Sequence, residues 1–239
     1  KAAHKIVNTI NSKGGNAIPI SANVLDKESL ENAKHIINKE FGLCDILING
    51  AGGNHPLGTT SNTHFTIEDL NNDSNDFKTF FDLDVEGIKF VFDLNFIGTL
   101  LPCQVFAKDM IETDNSCIIN ISSMNAFTPL TKIPAYSGAK AAITNFTQWL
   151  AVHFSKVGIR VNAIAPGFFL TDQNRALLTN LDGSLTDRGN QILNQTPMGR
   201  FGNAQDIVSS TLYLCDDNSS FVTGVVIPID GGFSAYSGV

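Results

Sequence analysis

Apolar positions along this chain follow two alternating rhythms, short β-branched runs and longer stretches at helical spacing. Residues 1–11 place Ala3, Ile6, Val7 and Ile10 at a helical period, and Gly14-Gly15 closes that helix. Residues 17–21, Ala-Ile-Pro-Ile-Ser, read as a strand. Residues 27–41 predict an amphipathic helix with Leu30, Ala33, Ile37 and Phe41 inward, ended by Gly42. Residues 45–49 are almost continuously apolar, as a strand of a parallel sheet buried on both faces is. The acidic, polar residues 54–91 are the least regular part, and a loop of that length suggests a lid or a mobile segment.

Beyond it the pattern predicts a helix over 92–111, a strand over 117–121 and a helix over 135–154. A strand over 159–164 follows, broken by Pro166-Gly167, and Thr171 then starts a helix. Residues 205–215 read as a helix, and 222–229 contain the last strand. Strands alternating with helices make an α/β protein, and the absence of repeats or a linker makes residues 1–239 one domain.

Composition narrows the function classes. Hydrophobic residues at 43% and charged residues at 16% are globular values. A net charge of −7 excludes a basic nucleic-acid surface. No uninterrupted apolar run approaches the roughly 20 residues of a bilayer span, so no membrane partner and a cytoplasmic location are expected. The scattered Cys44, Cys103, Cys117 and Cys215 form no metal-binding spacing, so no metal is expected. Cys103 and Cys117, in apolar elements, read as buried free thiols.

The chemistry concentrates after the strand at 117–121, where Ser122 and Ser123 stand at its carboxyl end. Tyr136 and Lys140 lie four residues apart on the helix that follows, so they share a face. A lysine beside a phenol favours the phenolate and is expected to lower the Tyr136 pKa towards the range of a general acid/base. Tyr-x-x-x-Lys alone is weak, since a half-buried tyrosine beside a solvated lysine has the same spacing. Asn95 in a helix, Asn49-Gly50-Ala51-Gly52 after a strand and Pro166-Gly167 after another add to it. Glycines at that place let backbone approach a ligand closely.

Those features, in that order, resemble the short-chain dehydrogenase/reductase family, and the resemblance runs from about Ala17 to Val239. It implies a doubly wound, mostly parallel, Rossmann-like sheet. It also implies that the family's first strand, glycine-rich turn and second strand precede Lys1, leaving the chain N-terminally incomplete. Asn95, Ser123, Tyr136 and Lys140 are then the catalytic set, with NAD or NADP as cofactor. Cofactor contacts are expected from Asn23, Val24, Asn49, Gly50, Ala51, Gly52, Ile121, Tyr136, Lys140, Pro166, Gly167 and Thr171. Substrate contacts are expected from Asn54, His55, Ser123, Tyr136, Phe168 and Arg175. A small-molecule substrate and a homodimer or homotetramer, paired through the helices around Asn95 and Tyr136, are the implied partners.

The segments Asn-Gly-Ala-Gly-Gly-Asn-His-Pro and Asp-Gly-Gly-Phe-Ser-Ala-Tyr-Ser-Gly-Val resemble the bacterial D-mannonate oxidoreductase branch of the family. This implies D-fructuronate and D-mannonate as the reacting pair, with Arg175, Lys132 or His55 meeting the carboxylate. Three alternatives stay open: a gluconate-type sugar, a 3-oxoacyl thioester, and a non-catalytic nucleotide-binding subunit.

Overall fold

Four short apolar runs pair side by side into one parallel sheet. They are β1 (Ile46–Asn49), β2 (Cys117–Ile121), β3 (Arg160–Pro166) and β4 (Val226–Ile229), in the order β1-β2-β3-β4. Ile46 pairs with Cys117, Cys117 with Arg160, and Ala163 with Val226. The structure, a computed structural model, describes residues 2–172 and 174–238. Lys1 and Val239, at the ends of the expected first helix and of the tail, lie outside them.

The pleat decides what each face buries, because successive side chains point to opposite sides. Ile118 and Val161 meet Cys103, Ala107, Met110, Leu150 and Ala151 of α4 (Gly98–Met110) and α5 (Pro134–Phe154). Cys117, Ile119 and Ile164 meet Leu214 of α8 (Ala204–Cys215) on the other face. The middle strands are therefore covered twice, as a parallel α/β sheet requires. Outside α4, helix α2 (Lys27–Phe41) packs Leu30 onto Val105 and Phe106. Helix α1 (Ala2–Ser12) buries no residue.

Helix α3 (Val85–Phe92) runs into α4 through a π turn over Asp93–Ile97, giving one continuous helical rod. Asn95 causes the irregularity locally. Its Nδ2 donates to Val91 O at 2.7 Å, and Thr99 Oγ1 donates to its carbonyl at 2.8 Å, so side chains compete with the helical ladder. By length and composition the 26-residue rod Val85–Met110 meets the test for a bilayer span, which no uninterrupted apolar run in the sequence suggested. Half of its most apolar stretch is buried inside the fold, as in the core helix of a globular protein.

Several expectations are corrected. Residues 17–21 are not a strand: no strand lies beside them among the described residues, and Pro19 has no N–H to donate. Among the described residues β1 lies at the edge of the sheet, and Ile46 and Ile48, expected buried, are 46% and 49% exposed. Phe41, expected inward on α2, is also exposed. The helix expected from residue 92 begins seven residues earlier, at Val85, capped by Asp84. Residues 54–84 are turns and short 3-10 segments. Thr171 starts no helix with its side chain; the four-residue α6 (Arg175–Leu178) begins after Asn174.

Candidate active site

The carboxyl ends of β1 and β2 and one face of α5 meet at a cluster of polar side chains. Lys140, 3% exposed, donates from Nζ to Ile121 O at 2.8 Å. Ser122 Oγ lies 2.8 Å from Thr144 Oγ1 and donates to Lys140 O at 3.2 Å. Deeper, Asn49 Nδ2 donates to Asn120 Oδ1 at 2.9 Å, and Asn120 Nδ2 donates to Thr147 Oγ1 at 2.9 Å. These bonds fix α5 against the sheet and set the height of the Tyr136–Lys140 face. Thr144 and Thr147 were not anticipated. Their spacing from Lys140, four and seven residues on, put them on that same face and was a readable signal.

Ser123 opens a 3-10 turn and accepts a bond from Asn125 N at 3.3 Å. Tyr136 lies beside Ser123, and the Lys140 ammonium stands 5.6 Å from the centre of its ring. Asn95 is fully buried, and its Nδ2 donates to Gly53 O at 2.7 Å while its Oδ1 accepts from Gly53 N at 3.3 Å. Its side chain thus locks the glycine segment after β1 onto the π turn. Gly52 has to be glycine: a Cβ there would sit 2.7 Å from Asn95 Oδ1 and 3.2 Å from Lys140 Nζ. The four expected catalytic side chains and the glycine segment are therefore brought to one place.

The expected direction of the Tyr136 pKa is corrected. Burial raises it above the ordinary value, and the neighbouring Ser123 hydroxyl only partly offsets this. Burial also lowers Lys140, to about 8. By the pH at which a raised phenol ionises, Lys140 has already lost the charge that would have favoured the phenolate. At neutral pH the pair is a protonated phenol beside an ammonium.

The other expected contacts divide. Ile121 and Gly50 adjoin the cluster, since a Cβ on Gly50 would lie 4.0 Å from Ile121. The Asn49 side chain is consumed inside, by Asn120 and Cys103. Asn23 accepts from Leu25 N in a local turn, and Val24 packs on Gly98. Pro166 ends β3, and Gly167 N donates to Ile229 O at 2.9 Å. Phe168 lines a cavity beyond it and packs edge-on against Phe233, whereas Thr171 is exposed. Asn54 bonds Thr59 Oγ1, and His55 caps a 3-10 turn by accepting from Leu57 N while its ring lies 5.0 Å from Phe90. Arg175 is exposed, with Asp172 at 4.0 Å.

The donor set fits a nicotinamide dinucleotide. Lys140 gives one of three N–H donors to Ile121 and pairs with no carboxylate among the described residues. Its remaining donors, next to the glycine segment, suit the hydroxyls of a ribose.

Comparison with known proteins gives the same direction. The family described as enoyl-(acyl carrier protein) reductase matches residues 1–234. An uncharacterized oxidoreductase of Haemophilus influenzae is 61% identical over 240 residues, covering 100% of this chain and 83% of that protein. A crystal structure from Haemophilus influenza, provisionally named a D-mannonate oxidoreductase and holding NAD, superposes with a TM-score of 0.92. It is 59% identical, with 98% of this chain and 83% of that one covered. Glucose 1-dehydrogenase 2 of Bacillus subtilis is 27% identical over 235 residues, covering 98% of this chain and 81% of the relative.

Proposed function

The chain belongs to the short-chain dehydrogenase/reductase family of NAD(P)-dependent oxidoreductases, and on that premise we propose that it interconverts D-fructuronate and D-mannonate. The observation that carries the reading is the convergence of Ser123, Tyr136, Lys140 and Asn95 at the strand ends, in a chain 59% identical to the NAD-bound structure named for D-mannonate.

When bound, the nicotinamide supplies or accepts the hydride. Tyr136, protonated at neutral pH, gives its proton to the carbonyl oxygen as the carbonyl carbon is reduced, and takes it back in the oxidation. Ser123 donates to the same oxygen and fixes its position beside the phenol. Lys140 holds the ribose hydroxyls and keeps a positive charge near the tyrosine. Asn95 holds the glycine segment and, through the π turn, positions the water that returns the proton. Gly50, Ala51, Gly52, Ile121, Pro166, Gly167 and Thr171 supply the remaining cofactor contacts, with Asn23 and Val24 towards the adenine. We place the protein in the cytoplasm as a homodimer or homotetramer.

The test is reduction of D-fructuronate with NADH and with NADPH, followed by nicotinamide absorbance. Turnover with either cofactor is expected. Tyr136→Phe should remove it while cofactor affinity, read by fluorescence titration, stays as in the wild type. Turnover that survives this substitution would exclude Tyr136 as the acid/base. No reaction with fructuronate alongside reaction with a gluconate-type sugar would overturn the substrate.

A further inference from the structure

A substrate aligned on Tyr136 needs its far end held, and the turn that leads into the Tyr136 helix walls a cavity whose polar side chains have no role so far. A cavity of about 400 Å³ is bounded by the turn between Ser123 and Tyr136, the segment after β3, and α7 (Asp187–Asn194). Its walls include Lys132, Arg188, Gln191, Gln195, Phe168 and Phe233, with no carboxylate among the described residues. Neither Lys132 nor Arg188 has an ion-pair partner among the described residues, although the chain carries a net charge of −7. Two cations lining one small cavity without a counter-charge make it a favourable place for an anion.

The backbone sets where each of them stands. Lys132 has φ 73°, in the left-handed region that a side chain disfavours, and its carbonyl accepts Thr60 N at 2.9 Å. That bond ties the long polar segment after β1 to the turn carrying Lys132. Arg188, Gln191 and Gln195 follow at helical spacing, so they face the same way. Phe168 and Phe233, 5.4 Å apart and edge-on, make the apolar wall.

We propose that Lys132 and Arg188 form a carboxylate-binding pair that selects a polyhydroxylated acid as substrate, with Gln191 and Gln195 bonding its hydroxyls. The guanidinium can take a carboxylate through two N–H groups, and the ammonium adds a second charge. The proposal deepens the sugar-acid reading above and rests on it for the reaction, though not for the binding. Of the cations considered from sequence, His55 is spent on a cap and Arg175 has Asp172 at 4.0 Å, and neither lines the cavity, which leaves Lys132. Arg188 is new.

The experiment compares the wild type with Lys132→Asn, which tolerates the left-handed backbone, and Arg188→Gln, at an exposed position of α7. Reduction of D-fructuronate and of the neutral D-fructose is measured, and D-mannonate binding to the NADH complex is followed by calorimetry. The expected result is a KM for fructuronate raised about tenfold in each variant, with kcat and NADH affinity held and no matching rise for fructose. Wild-type turnover of fructuronate with unchanged KM in both variants would overturn the carboxylate pair and leave the reaction standing. A wild type that binds D-mannonate without turning over fructuronate, and variants that bind it more weakly, would support the pair and overturn the reaction. Neither turnover nor D-mannonate binding in the wild type would overturn both.

Discussion

Lys140 is charged at neutral pH inside a buried site, and that has a cost which pH can expose. Below about pH 8 it is protonated in both folded and unfolded states, so the full burial penalty is present. Between about 8 and 10.5 the unfolded lysine keeps its proton while the folded one has lost it. The unfolded state then binds more protons, and stability rises with pH across that window. The displacement from 10.5 to about 8 corresponds to about 3 kcal/mol. Lys140→Met should remove this rise, so urea midpoints for the two proteins should draw together between pH 8 and 10. Parallel curves would place the lysine in a better-solvated setting. Tyr136 acts in the opposite sense only above pH 10, because a raised phenol keeps its proton in the folded state.

At the scale of elements, α5 does two things with two faces. One carries Tyr136, Lys140, Thr144 and Thr147 towards the strand ends, where Lys140 and Thr147 bond β2 residues and Thr144 bonds Ser122 just after the strand. Another presents an aromatic ridge: Phe146 stacks on Trp149 at 6.2 Å, and Trp149 on His153 at 4.7 Å. Trp149 is 57% and Val152 76% exposed, which leaves a large apolar surface in water. The proposed pairing of subunits covers that surface with its counterpart. Trp149→Glu should therefore shift the mass measured by light scattering towards the monomer. An unchanged mass would move the subunit contact elsewhere.

Across the described residues, the two middle strands are covered on both faces and carry the largest share of fully buried apolar side chains in the sheet. Ile118 is fully buried between α4 and α5, whereas Ile48 on the edge strand is half exposed. Ile118→Ala should cost roughly 2–5 kcal/mol through the cavity it leaves, and Ile48→Ala much less. Equal losses in urea unfolding would mean that the edge face is covered in solution.

How much of this was legible in the sequence differs by feature. Helices α2, α5 and α8 and strand β2 were readable almost to the residue, because apolar periodicity and caps act over a few positions. Asn95, Ser123, Tyr136 and Lys140 were named through the family resemblance, and the fold brings Asn95, the glycine segment and Lys140 to one place. What depended on distant neighbours was not. Residues 17–21 have strand composition, but a strand exists only when another chain segment accepts its hydrogen bonds. β1 has the composition of a buried strand, yet whether Ile46 and Ile48 are covered is decided by what packs on them. The sign of the Tyr136 shift was missed because proximity to Lys140 is local, whereas the burial that outweighs it comes from the whole fold. Lys132 and Arg188 lie 56 residues apart in the chain, and only the folding of α7 against the turn before α5 puts them around one cavity. Local spacing, then, determined most of the elements; burial and long-range packing decided the protonation and partners of the side chains they carry and the shape of the space these face.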